Sequence, residues 1–206
     1  MPSLFNIGQA ETFLLLPLAL FAVVTSITPG PNNILLTASG ANFGFRRSVP
    51  HMLGISAGFL SLILVTGVGL GAVILASDWL HQGLKAVGAL YLVWLAWQLA
   101  RAGGIESRAE LRPMRFHEAA LFQYVNPKAW MMAVGAVAAF TTPGGHYGLE
   151  VALIAAIFTL INLPCVSLWA LFGVGIGRYL SDARARTIFN FTMAGLTLLS
   201  AVLLYL

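Results

Sequence analysis

Apolar residues run along this chain in long blocks with few interruptions. Stretches free of Asp, Glu, Lys and Arg extend from Thr12 to Phe45, Ser48 to Ser77, Ala86 to Ala100, Val151 to Gly177 and Thr187 to Leu206. A further stretch, Ala119 to Leu149, holds a single charge, Lys128. A helix that crosses a membrane needs about 20 predominantly apolar residues. The block at Ala86 is short, but Trp79 to Arg101 reaches that length with only His81 and Lys85 near one end. The pattern therefore predicts six helices, over about 11–42, 49–77, 80–101, 117–141, 148–173 and 187–206. Helices are expected because lipid-exposed backbone must satisfy its hydrogen bonds within the segment. A β-barrel would alternate in segments of about ten residues, and no such alternation is present. The linkers are short, so residues 1–206 read as one transmembrane domain. Its halves run over about 11–101 and 117–206, joined by a linker at 102–116.

Composition narrows the class further. Of the 206 residues, 59% are hydrophobic and 9% are charged, too few charges to cover the surface of a water-soluble fold. The apolar content excludes disorder, and Cys165, the sole cysteine, excludes a disulfide scaffold. The formal charge of +4 reports membrane orientation rather than nucleic-acid binding. Arg46 and Arg47 follow helix 1, Arg101, Arg108, Arg112 and Arg115 follow helix 3, and Arg178, Arg184 and Arg186 follow helix 5. These residues share one side, which the positive-inside rule makes cytoplasmic, with both termini outside. Trp79, Tyr147 and Tyr205 then belong to the outer interface and Tyr179 to the inner one. No Lys or Arg precedes Arg46, so a cleavable leader is not expected and helix 1 is retained.

Two of the six helices are interrupted. Helix 1 contains Pro29-Gly30-Pro31 followed by Asn32 and Asn33. Proline inside a helix removes a hydrogen bond and clashes with the preceding turn. A break is expected, with Gly30 as the cap and Pro31 opening a new half-helix. The half-helix to Asn42 is roughly 18 Å long, which puts the break near the centre of the bilayer. Helix 4 repeats the device with Asn126-Pro127-Lys128, an Asn cap before a first-turn proline. Asn162 and Pro164 in helix 5 add a third interruption at similar depth. Helices 1 and 4 each begin a half of three helices, so the halves have opposite topology. Interrupted helices at matching places in inverted halves point to a transporter substrate site. The expected fold is an all-α membrane protein of six helices in two inverted three-helix repeats.

The polar groups of such a site can be sorted by the charge that each would receive. Half-helix N-termini at Pro31 and Pro127 present backbone N–H groups and a positive dipole end to a carboxylate. Asn32, Asn33 and Asn126 add side-chain donors. Lys128 is the one clear mid-span charge and needs a cavity or a polar partner. It suits carboxylate contact or proton coupling, or a structural pairing with carbonyls at the break. For the ammonium group, carbonyls near Ser26, Ile27 and Thr28, the oxygen of Asn162, and Thr159 are the acceptors. No Asp or Glu lies mid-span, which favours a neutral zwitterion over a cationic substrate. The substrate-binding set is thus Thr28, Pro29, Gly30, Pro31, Asn32, Asn33, Asn126, Pro127, Lys128 and Asn162. Lys128, His51 and Glu118 are the proton-coupling candidates, although His51 reads as interfacial and Glu118 as a solvated helix start. Gln123, one turn before the second break, either reaches the site or bonds across helices. The GxxxG pairs Gly54/Gly58, Gly67/Gly71 and Gly173/Gly177 suit close helix packing, and with it a homodimer. Trp94, Trp97, Trp130 and Trp169 read as packing residues.

These residues also carry a family resemblance. Thr28-Pro29-Gly30-Pro31-Asn32-Asn33, Gly40 and the Gly44-Phe45-Arg46 turn resemble the LysE/RhtB family of bacterial amino-acid exporters. Gly54, Gly58, the string from Gly88 to Leu95, Asn126-Pro127-Lys128-Ala129-Trp130, Asn190 and Gly195 extend the likeness over nearly the whole chain. The resemblance implies a six-helix exporter of the bacterial inner membrane, driven by an ion gradient. The TPGPNN string is similar to that of members exporting small neutral amino acids and cysteine precursors.

Other classes fit less well. A redox relay needs two exchanging cysteines. A metal exporter needs several carboxylates, thiols or histidines at one depth. An enzyme needs a base beside its nucleophile, and no histidine is placed beside Ser26, Ser56 or Ser61. No cofactor and no metal are expected. A passive channel or a small membrane assembly subunit is the alternative. The expected function is ion-coupled export of amino acids, with the proton as the expected ion.

Overall fold

The structure is a computed structural model that describes residues 4–69, 77–101, 112–142, 146–180 and 182–203, with the backbone alone for 4–14, 81 and 84. Among these residues every regular element is a helix. In chain order they are α1 (Leu4–Ile27), α2 (Pro31–Phe43), α3 (Phe45–Gly67), α4 (Asp78–Arg101), α5 (Phe116–Val125), α6 (Pro127–Phe140), α7 (Tyr147–Tyr179) and α8 (Ala183–Val202). Four of them, α3, α4, α7 and α8, are long and apolar enough to cross a membrane. A fifth crossing forms if Leu15–Ile27 and α2 are one span, bent by 57° at the break. α6 is a shorter apolar helix. Glu106, Arg108 and Glu110 of the expected linker, Gly71, Tyr205 and the 70–76 part of the second expected helix lie outside the described residues.

The helix starts follow the rules read from sequence. α2 has Gly30 as its N-cap and a proline in its first turn. α6 has Asn126 as its N-cap, with the side chain accepting from the Lys128 N–H. Gly44 makes the sharp turn into α3 at φ 82°, a left-handed conformation that glycine adopts at little cost.

Two expectations about helix 5 are corrected. α7 continues past 173 to Tyr179, and it runs unbroken through Pro164. Proline costs a helix one hydrogen bond and some strain, and flanking turns and neighbouring helices can absorb that cost. Pro164 lies on the exposed side of α7. The glycines at 173 and 177 do not end the helix because they serve close approach. A Cβ at Gly173 would stand 2.1 Å from the Thr37 carbonyl oxygen, and one at Gly177 would stand 2.8 Å from that of Ala41.

The same device joins α3 to α5. Cβ atoms at Gly54 and Gly58 would meet the carbonyl oxygens of Phe116 and Ala120 at 2.2 and 2.5 Å. The glycines at 54, 58, 173 and 177 thus serve close packing within the chain. An apolar cluster completes the packing. Phe158 of α7 lies edge-on to Phe21 and to Phe59, with ring centroids 6.0 and 5.4 Å apart. Leu16, Leu20, Leu121, Met131 and Leu160 instead point outward and are exposed. An apolar exterior around a core laced with Asn, Ser and Thr is the pattern expected of a protein solvated by lipid.

Candidate functional site

The first break leaves the last carbonyls of α1 without helical partners. Side chains from three helices take them up. Asn33 of α2 donates through Nδ2 to the oxygens of Ser26 and Thr28, at 3.0 and 2.7 Å. The Trp169 indole of α7 donates to the Ile27 oxygen at 3.1 Å. Lys128 crosses from the second break, and its Nζ donates to Thr28 O at 2.7 Å, Thr28 Oγ1 at 2.9 Å and Pro29 O at 3.3 Å. Gly30 is extended at φ 178°, a backbone any residue adopts. What it supplies is room, since a Cβ there would stand 2.9 Å from Lys128 Cδ.

Two further polar links close the site. Asn162 of α7 donates to Ser26 Oγ and accepts from Ser56 Oγ of α3, both at 3.2 Å. Asn32 and Gln123 exchange reciprocal amide hydrogen bonds at 2.8 and 3.2 Å. Gln123 is wholly buried and also donates to the Ala119 oxygen. The cavity among these groups measures about 20 Å³. That is room for about one water and too little for an amino acid.

The structure brings together most of the residues expected from sequence. Gly30, Asn32, Asn33, Asn126, Lys128 and Asn162 all line this cavity. Thr28 and Pro29 reach it through the Lys128 ammonium group, and Pro31 and Pro127 open the half-helices beside it. The two N-termini differ, however. At α6 the Lys128 N–H is held by the Asn126 side chain, and the N–H groups of Ala129 and Trp130 by the Asn126 carbonyl. That end has no donor to spare for a carboxylate. At α2 the N–H groups of Asn32 and Asn33 have no hydrogen-bond partner among the described residues. The carbonyls expected to receive a substrate ammonium group are all occupied by protein donors, and Thr159 bonds within its own helix.

Two proton-coupling candidates stand elsewhere. His51 is buried within the protein, at 1% exposure. Glu118 is not free in solvent. It forms a bidentate salt bridge with Arg112 and accepts from the Arg115 backbone N–H at the start of α5. The hydrogen bonds that Arg112 donates to this carboxylate raise the Arg112 pKa above its ordinary value. Both residues line a second, larger cavity and not the one at the breaks.

Three participants were not assigned roles from sequence. The sequence offers the hydroxyls of Ser26 and Ser56 only as nucleophiles, and the Ser26 carbonyl as an acceptor. Trp169 had been read as packing, although a buried indole N–H needs an acceptor and the freed carbonyls of α1 were the natural place to seek one.

Comparison with known proteins agrees with this architecture. The LysE type translocator family matches residues 23–206. The chain is similar to the cysteine/O-acetylserine efflux proteins of Escherichia coli strain K12, Escherichia coli O1:K1 and Shigella sonnei. Identity to each is 32% over 154 residues, which is 74% of this chain and 78% of the relative. No solved structure matches the chain. An all-helical membrane architecture, two proline-capped breaks and this likeness agree on one assignment: the chain belongs to the LysE type translocators, a family of transporters and not of enzymes.

Proposed function

We propose that the protein exports small neutral amino acids or their derivatives, such as cysteine or O-acetylserine, across the bacterial inner membrane. The observation that carries the reading is the seat of the Lys128 ammonium group. It lies on Thr28 O, Thr28 Oγ1 and Pro29 O, a cluster of acceptors suited to a substrate ammonium group. The unpaired N–H groups of Asn32 and Asn33 at the start of α2 lie close by and suit a carboxylate. In this reading the arriving zwitterion takes the carbonyls, and Lys128 turns to its carboxylate.

A cavity of about 20 Å³ must widen before an amino acid enters, which favours alternating access over a standing pore. Six spans in two inverted halves, with both termini periplasmic, are the frame we propose for that motion. The proton is the proposed coupling ion, with Lys128 as its carrier. The family name and the efflux relatives support export as the direction.

The test is export from cells. Cells producing the protein are loaded with amino acids from dipeptides, and the medium is profiled with and without an uncoupler. Uncoupler-sensitive accumulation outside is the expected result. Export that only equilibrates the solute and ignores the uncoupler would make the protein a passive channel. No release above control cells, with insertion verified, would overturn the reading.

A further inference from the structure

An exporter must collect its cargo before the breaks open, and the cavity there is too small to do so. A second cavity of about 450 Å³ lies toward the other end of α2, on the side that carries Arg101, Arg112 and Glu118. Its walls come from the C-terminal parts of α2 and α4 and from the starts of α3 and α5. Its size falls in the usual range for small-molecule sites, roughly 300–1,000 Å³. Leu35 lines this cavity and Asn32 the smaller one, so the two are about one turn of α2 apart. The Asn32–Gln123 amide pair belongs to the wall between them.

Two features give the larger cavity its chemistry. His51 is buried, and neither Nδ1 nor Nε2 has a hydrogen-bond partner among the described residues. Buried polar atoms are nearly always paired. Both nitrogens are closed off in this conformation, so the donor and acceptor of a neutral imidazole reach an occupant once the ring turns into the cavity it lines. The second feature is the Arg112–Glu118 pair, which is partly exposed in the wall.

We infer that this cavity is the loading site for the cargo. Arg112 receives the carboxylate, Glu118 receives the ammonium group, and His51 hydrogen-bonds the polar side chain. The inference rests on the proposed export of amino acids. A zwitterion fits because it exchanges one neutral ion pair for two and leaves the net charge unchanged. A lipid chain fits poorly, because it would set hydrocarbon against the partly exposed Arg112–Glu118 pair in the wall. The ligand class is a small zwitterion with one further hydrogen-bonding group.

The experiment uses inside-out membrane vesicles holding the full chain, with radiolabelled O-acetylserine added to the exposed cytoplasmic face. His51→Leu is expected to raise KM about tenfold with little change in maximal rate. His51→Gln keeps a donor and an acceptor and is expected to restore KM to within about twofold. Arg112→Gln is expected to raise KM by more than His51→Leu. In a second arm Gln98, which lines the cavity, is changed to Cys in a Cys165→Ala background and labelled with a water-soluble maleimide. O-acetylserine is expected to slow that labelling. Wild-type uptake with unchanged KM in both His51→Leu and Arg112→Gln, or labelling that the substrate does not slow, would overturn the loading site while leaving export intact. A Gln98→Cys that the reagent never reaches would show a lipid-filled groove and overturn it equally. Absence of wild-type uptake would instead defeat the export reading and take the loading site with it.

Discussion

The two helix breaks look alike in sequence and differ in how they are held. The break between α5 and α6 is one residue wide, and Asn126 satisfies it locally with its own side chain and carbonyl. The break between α1 and α2 spans 28–30 and bends the pair by 57°. Its carbonyls depend on donors from elsewhere, among them Lys128 and Trp169, which lie 100 and 142 positions from their partners. A break that caps itself is a fixed post. Asn33 of α2 holds two of the first break's carbonyls, and the others rely on Lys128 and Trp169. In the proposed alternating-access cycle the second break is expected to be the frame and the first the moving part, with Lys128 linking them.

The comparison can be broken most severely at Lys128. Lys128→Met removes three hydrogen bonds to the exposed residues Thr28 and Pro29, while Thr28 O keeps its bond from Asn33. Export is expected to fall by about 100-fold or more, since intramembrane charges serve function, while the protein still inserts. Export assays with a fluorescence-based measure of folded yield check this, and unchanged export would reduce Lys128 to a structural prop. Next comes Asn162→Leu, which strips partners from Ser26 and Ser56 together. A stability loss of about 2 kcal/mol is expected, read as a lowered Tm in detergent.

A smaller effect is expected from Gly30→Ala. Its Cβ presses on Lys128 Cδ, so export should fall by about tenfold with Tm little changed, since only one flexible side chain must shift. Gly135→Ala meets only the Phe21 ring at an ordinary 3.6 Å and serves as the neutral control. The smallest change is Asn126→Ala. Loss of the cap should cost about 1 kcal/mol of stability and leave export within a few-fold of wild type. If Asn126→Ala abolishes export while Gly30→Ala does not, the fixed and moving roles are reversed.

Much of the first break was legible in the chain because proline and glycine act locally. Pro31 and Pro127 set the starts of α2 and α6 through fixed dihedrals and missing N–H groups, and both starts were read correctly. Pro164 misled because the same local rule is overridden where the ring faces outward and the surrounding turns hold. The glycine pairs announced close packing but not the partner. Only the folded chain shows Gly54 and Gly58 against α5. The burial of His51 was not readable either, since it depends on where the starts of α3 and α5 and the end of α2 converge. The occupants of the α1 carbonyls were least legible of all, being set by contacts more than a hundred positions apart in Trp169 and at that distance in Lys128.

The seat of Lys128 bears on how an efflux carrier resets. A carrier that has released its cargo must return, and an empty cation site in the bilayer would be costly to carry back. Here the protein's own ammonium group already fills that site. In the proposed proton-coupled cycle the returning carrier brings a proton, and the ammonium group standing on Thr28 and Pro29 would compete with an amino acid for the same acceptors. The lysine would thereby ease the return stroke and oppose reuptake.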